Sequence, residues 1–339
     1  MIELRSDTFT QPTSGMLAAM MKAKVGDDVF MEDDTVLALE AQTAAYFGME
    51  AGLFCPSGTM TNQIAIKCHT QPGQEVICDE LSHIYQYEAG GIAFNSGCSV
   101  KLLQGDLGRL TAAQVASAIN PNDIHKAPSS LVSLENTVNR GGGACYGFQE
   151  IERIREVCDN HGLPLHLDGA RLWNALVAKP ETALQYGEIF HSISVCYSKG
   201  MGAPVGSVLL GNAAFVQKAR RIRKVLGGGM RQAGYLAAAC LYALEHHLPK
   251  LTHDHNHAKA TAQLLEQQNW VARVMPVETN IVIFELADGL AATAVIEGFR
   301  AAGILALAIS ARAIRLVFHL DVSNEKFEQL NQRINALKF

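Results

Sequence analysis

The chain is short of basic residues, of charge in general, and of long apolar runs. Its 28 Lys and Arg are outnumbered by 33 Asp and Glu, leaving a formal net charge of −5. That sign is unsuited to nucleic-acid phosphates, which require a basic face. No apolar run approaches the roughly 18 residues of a membrane span, and Met1-Ile-Glu-Leu-Arg-Ser-Asp7 lacks the basic-then-apolar pattern of a secretory signal. These absences predict a cytoplasmic protein with no membrane and no nucleic-acid partner. None of the eight cysteines forms a Cys-x-x-Cys pair, and most lie inside apolar runs such as Val195-Cys-Tyr197. They read as structural thiols, neither redox pairs nor zinc ligands. The glycines at 141–143 and 227–229 do not make the Gly-x-Gly-x-x-Gly that follows a strand in dinucleotide sites. The acidic loop Val25–Asp34 lacks the ligand order of a calcium loop. In His253-Asp-His-Asn-His257 alternate positions on a helix do not share a face, so no metal is expected.

What is present is a large apolar fraction, 48% of 339 residues, enough for two packed units. Ser192 to Leu210 reads as a strand (192–197), a lysine at its end, a Gly-rich turn and a second strand (205–210). At the edge of a buried sheet desolvation works against the ammonium of Lys199, and the free amine is a nucleophile suited to carbonyl carbon. Upstream, the strand Leu163–Asp168 ends in Asp168-Gly-Ala-Arg171. Two neighbouring strand ends would carry Asp168 and Lys199 to the crevice where open α/β sheets bind ligands. A pyridoxal phosphate site needs this pair, the amine for the cofactor's carbonyl and the carboxylate to keep the pyridine nitrogen protonated.

A third strand, Ala51–Cys55, runs into Pro56-Ser-Gly-Thr59 at a helix start. Gly58 and Thr59 would there offer N–H and hydroxyl groups to a phosphate. His83, just past the strand Glu75–Cys78, is placed to stack on a cofactor ring. Further strands at 100–103 and 131–134, with helices at 14–22, 35–47, 110–119, 148–160, 212–226 and 231–247, continue a β-then-α alternation. From about Leu251 the order becomes helix, strand (280–286), helix (291–302), strand (314–320), helix (325–338). That α+β pattern marks a second unit, so the expected division is 1–250, including an N-terminal segment 1–13, and 251–339.

The motifs Leu4-Arg-Ser-Asp-Thr8, Val25-Gly-Asp-Asp-Val29, Ser57-Gly-Thr59, Leu134-Glu-Asn-Thr137, His166-Leu-Asp-Gly-Ala-Arg171, Ser198-Lys-Gly200, Gly227-Gly-Gly-Met-Arg-Gln232 and Arg315-Leu-Val-Phe-His319 together resemble those of the low-specificity L-threonine aldolases. The resemblance covers nearly the whole chain. It implies an α/β, aspartate-aminotransferase-like fold (fold type I) with a mostly parallel seven-stranded sheet and a smaller C-terminal α+β domain. It implies cleavage of β-hydroxy-α-amino acids, threonine and allo-threonine first, to glycine and an aldehyde. Lys199 would hold the cofactor, Asp168 pair with the ring nitrogen, His83 stack, and Gly58, Thr59 and Ser198 hold the phosphate. Arg171 would lie by the ring hydroxyl and the substrate, with Ser6 and Arg315 on the substrate carboxylate. Lys224 and Arg231 would approach a neighbouring subunit's site in a homo-oligomer, a dimer of dimers. The β-hydroxyl needs a base; His83 serves if its ring edge reaches past the cofactor, and His125 if its loop folds over the site. Phe30, Met31 and Val138 depart from the pattern, where Tyr-Gly and a histidine are expected. The alternatives are a related lyase β-eliminating from an aromatic amino acid, a nicotinamide-dependent oxidoreductase, and a catalytically silent binding protein.

Overall fold

Short aliphatic runs punctuated by Gly, Ser and Asp become strands buried on both sides, which is what a sheet covered by helices requires. The computed structural model describes residues 1–339. Strand β1 (Ile2–Glu3) is followed by β2 (Ala51–Cys55), β3 (Glu75–Asp79), β4 (Ser99–Leu103), β5 (Ser129–Glu135), β6 (Leu165–Gly169), β7 (Ser192–Cys196) and β8 (Ser207–Gly211). β2 to β8 form a seven-stranded sheet in the order β2-β8-β7-β6-β5-β3-β4. Its pairings are parallel except the two made by β8. Every residue of β6, β7 and β8 is buried. Around them lies a core of 40 buried residues that includes Ile77, Val132, Leu167, Trp173 and Val195.

The rest of the chain adds β9 (Val271–Val274), β10 (Ile281–Leu286), β11 (Ile304–Leu305), β12 (Leu307–Ala308) and β13 (Ala313–Val317). Four of these make a second sheet, ordered β12-β13-β10-β9, over its own core of 20 buried residues. The helix Leu251–Glu266 joins the two units, with Leu251 in the first core and Ala258, Ala262 and Leu265 in the second. No helix is long and apolar enough to cross a membrane.

The N-terminal segment departs from the expected division. β1 pairs in parallel with β11, Leu4 accepts a hydrogen bond from the N–H of Val317 (2.9 Å), and Ile2 and Leu4 belong to the C-terminal core. The sequence also gave no sign of the helices Leu172–Ala178 and Ala183–Ile189 or of strand β9. The first helix buries a continuous Leu172-Trp-Asn-Ala175 run, so it has no amphipathic period to read, and β9 is an edge strand with no fully buried residue. Among the predicted helices, that at 14–22 begins at Ser14 and is capped by Thr13, whose hydroxyl accepts from the N–H of Met16. The helix expected from 231 starts at Gly234, whose N–H is held by Asp33 at 2.9 Å.

In the histidine-rich helix the imidazoles diverge. His255 bonds Asn174 at 3.0 Å, while His257 bonds Asn324 at 3.1 Å and stacks on Phe327. Asp254 and His253 line a cavity of about 280 Å³ with His257 and Lys250.

Candidate active site

The parallel strands β5, β6 and β7 end together. Register sets Glu135 opposite Asp168 and Asp168 opposite Ser194, so two carboxylates stand side by side at one sheet edge. Glu135 is pushed up to about 7, first by burial and then by the like charge of Asp168; N–H groups of Asn139 and His83 that bond its oxygens offset part of this. Beyond β7 the chain turns tightly, with the N–H of Gly202 on the carbonyl of Lys199 at 2.8 Å and Gly202 at φ 80°. The turn presents Ser198 and Lys199 to a cavity of about 200 Å³, whose wall also holds Gly58, Thr59, His83 and Asp168. Six of the predicted site residues thus meet in one cavity.

Gly58 and Thr59 open the helix Gly58–His69, capped by Ser57, whose hydroxyl accepts from the N–H of Met60 at 3.2 Å. A side chain at position 58 would put its Cβ 2.5 Å from the sulfur of Cys196. Only glycine lets the helix start lie this close to β7, and with it the free N–H groups that attract an anion.

Asp168 is buried, with one oxygen bonded by the N–H of Ala170 (3.1 Å) and the other by the amide of Asn62 (2.9 Å). The second proton of that amide goes to Glu88 at 2.9 Å. Glu88, whose side chain is fully buried, also accepts from Gln63 (2.6 Å) and pairs with Nδ1 of His83 (3.0 Å). Burial pushes His83 down, but the Glu88 hydrogen bond and the fields of Asp168 and Glu88 outweigh it, and the imidazole stays above its ordinary value. With Nδ1–H spent on Glu88, the neutral ring keeps Nε2 as an acceptor.

A second group of charges does not line the cavity but adjoins two residues of its wall, Thr8 and Ala170. The guanidinium of Arg171 binds both oxygens of Asp7 (2.7 and 2.8 Å), and both side chains are buried. Burial raises the Asp7 carboxyl, but Arg171 outweighs it, with help from Lys199 and His319, and holds it at about 2. Arg315 sits within the field of Arg171 and Asp7. It donates to Asn139 (2.7 Å) and to the carbonyl of Arg5 (3.1 Å), while its buried Nε has no partner. A guanidinium has five N–H donors, so three, Nε–H among them, have no partner within the fold.

The remaining predicted residues lie elsewhere. His125 is exposed and paired with Asp123 at 2.9 Å, on the loop that enters β5, whereas the cavity lies at the other end of that strand. The fold does not bring it over the site. Ser6 uses its hydroxyl to cap the turn Asp7–Phe9. Val138 is buried in the large core, against Gly108, and takes no part in the cavity wall. Phe30 and Met31 are exposed, and the guanidinium of Arg231 lies 6.0 Å from the Phe30 ring centroid. Lys224 lines a separate cavity of about 220 Å³ with Arg220, Arg221 and Arg223. Asp7, Asn62, Glu88, Glu135 and Asn139 were not singled out from the sequence. Glu135 and Asn139 stood in or beside a quoted motif, but Asn62 lies within a helix and Glu88 in a Gly-rich loop, with no pattern to mark either.

The donor set fits a phosphorylated pyridine aldehyde. A primary amine faces the cavity beside a buried carboxylate, a glycine-tight helix start offers N–H groups, and an imidazole lines the same wall. The family model described as beta-eliminating lyase matches residues 3–289. The chain is 41% identical over 329 residues to low-specificity L-threonine aldolase 1 of Arabidopsis thaliana, covering 95% of this chain and 92% of that protein. It is 40% identical over 331 residues to the low specificity L-threonine aldolase of Escherichia coli K12, covering 97% of each. Among solved structures, the threonine aldolase of Leishmania major superposes with a TM-score of 0.85 at 23% identity, over 99% of both chains.

Proposed function

This chain belongs to the β-eliminating lyase family, and from that premise we propose that it cleaves L-threonine, L-allo-threonine and related β-hydroxy-α-amino acids to glycine and an aldehyde. Its fold is that of the aspartate-aminotransferase-like, fold type I enzymes, and its cofactor is pyridoxal 5'-phosphate. The observation that carries the reading is the convergence of Lys199, Asp168 and a Glu88-held His83 on one cavity. When bound, the cofactor supplies an electron sink for the pair released at the α-carbon.

The chain's own groups do the rest. Lys199 would hold the cofactor through its carbonyl carbon, Gly58, Thr59 and Ser198 would hold its phosphate, and Asp168 would meet the ring nitrogen. Arg315, with its unspent N–H groups, grips the substrate carboxylate beside Arg171. That grip fixes which α-carbon bond stands across the ring, so it serves rate as well as affinity. Nε2 of His83 accepts the β-hydroxyl proton as the Cα–Cβ bond breaks and the aldehyde leaves; a proton returned to the α-carbon gives glycine. His83 is chosen over His125 because it alone of the two lines the cavity.

The proposal includes a homo-oligomer, a dimer of dimers, in which Lys224 and Arg231 reach a partner's site. Exposed Phe30 and Met31 beside Arg231 support it. It also includes a cytoplasmic location, supported by eight unpaired, buried cysteines. Borohydride reduction followed by peptide mapping should fix the cofactor to Lys199. A substrate panel should then release glycine and aldehyde; pyruvate and ammonia from an aromatic amino acid would refute the aldolase reading.

A further inference from the structure

Asn62 stands between the two carboxylates that the proposed chemistry depends on. Its amide gives one proton to Asp168 and the other to Glu88, each at 2.9 Å. Its oxygen faces Nε2 of His166 at 3.2 Å. Nδ1 of His166 lies 2.9 Å from the hydroxyl of Ser192, and that hydroxyl lies 2.8 Å from Nε2 of His69. Asn62, His166 and Ser192 are all buried.

Only one assignment of protons satisfies this chain. Both carboxylates are acceptors, so the amide must turn its NH₂ toward them and its oxygen toward His166. His166 must then carry its proton on Nε2 and accept from Ser192 at Nδ1, and Ser192 must accept from His69. Every donor points toward Asp168 and Glu88. Burial holds His166 down to about 4 and His69 to about 3, so both rings are neutral, as the assignment requires.

We propose that Asn62 is a positioning residue for both Asp168 and His83, and that the file His166–Ser192–His69 exists to fix the direction of its amide. Through Asp168 it aims the carboxylate that meets the ring nitrogen; through Glu88 it fixes the imidazole that meets the β-hydroxyl. One amide thereby couples the electron sink to the base. The inference rests on the cofactor reading given above. It adds Asn62, which itself helps to line the cavity, and behind it His166, Ser192 and His69, which do not.

The test compares the parent with Asn62→Leu, His166→Leu, His166→Gln and Ser192→Ala. The readouts are pyridoxal phosphate affinity of the stripped protein, the visible band of the loaded one, the stripped protein's melting temperature, and kcat and KM for threonine. Asn62→Leu and His166→Leu should bind the cofactor about 10–100-fold more weakly, by analogy with the loss of outer-shell partners of a bound metal. They should also shift the visible band and lose kcat more than KM. His166→Gln, which keeps a donor for the Asn62 oxygen, should recover most of the loss. Ser192→Ala, the mildest change, should lower affinity in the same direction by severalfold. Cofactor affinity and visible band within twofold of the parent in both leucine variants, or a loss confined to the stripped protein's melting temperature, would overturn the inference. A parent that takes up no reducible cofactor at Lys199 defeats the functional reading and this one with it. A parent that does, beside variants that match it, defeats this one alone.

Discussion

Asp254→Asn should make the protein more stable, and by an amount that grows with pH. Asp254 is buried against the end of the cavity it shares with His253, His257 and Lys250. Burial, and then the like charges of Asp7 and Asp321, push its carboxyl up to about 8 from 3.8. An acid whose folded value is raised contributes nothing adverse while both states hold the proton. Stability falls as pH climbs from the unfolded value to the folded one, because the unfolded chain can ionise and the folded chain cannot. At about 1.36 kcal/mol per pH unit, the burden is about 2 kcal/mol at pH 5 and about 5 kcal/mol at pH 8. Asparagine never ionises, so it escapes the burden; whatever its buried amide costs is the same at both pH values. The informative quantity is therefore the variant's gain at pH 8 minus its gain at pH 5, about 3–4 kcal/mol. Urea unfolding of parent and variant at the two pH values, at fixed ionic strength and cofactor concentration, measures it. The imidazole of His257, lowered first by burial, is common to both proteins. A difference below about 1 kcal/mol would show that water or a partner group solvates this carboxylate, and the argument would fail.

Three further outcomes follow from the site. Asp168→Asn keeps the shape but not the charge, and should lower turnover by about 10²-fold or more while weakening cofactor binding; single-turnover kinetics against a cofactor titration separates the two effects. Glu88→Gln leaves an oxygen to accept from His83 but removes the charge that holds the imidazole up, leaving Asp168 and Lys199 as the charges facing the ring. The ring must be neutral to accept a proton, so the acid limb of the pH profile of kcat/KM should move to lower pH as its plateau falls; an unmoved limb would remove His83 from the role of base. Asp7 is held at about 2, so its contribution to stability is present above its ordinary value of 3.8 and lost as pH falls through 2. That loss is about 2–3 kcal/mol, and Asp7→Asn, which strands a buried guanidinium, should cost about 3–5 kcal/mol at pH 7 and show no such acid step.

The parts of the site legible in the sequence were those that local chemistry marks. Lys199 and Asp168 were readable because a charged residue ending an apolar strand contradicts its surroundings, and Gly58 because Ser-Gly-Thr before a helix is an anion-site outline. Asn62 and Glu88 could not be read that way. Their importance comes from a turn of helix meeting a loop and a strand end, and only the folded chain brings these together. His125 shows the converse. It precedes β5, so its loop lies at the end where the strand begins, whereas ligands in a parallel sheet bind at the end where strands finish. The helix 148–160 was legible to its boundaries because its apolar stripe is strong, whereas β1, two residues long, offered no period at all.

That two-residue strand has a consequence for how the molecule is made. Ile2 pairs with Ile304, the carbonyl of Arg5 receives Arg315, and Asp7 clamps Arg171. Residues 2–5 must wait for residues 304–315 to be made before they are seated, an interval of about 15–60 s at ordinary elongation rates. Until then β1 has no partner strand and Arg315 has not met the carbonyl of Arg5. A nascent chain with Lys199 already displayed is thus still an unfinished catalyst, and chain termination anywhere before β13 leaves it so.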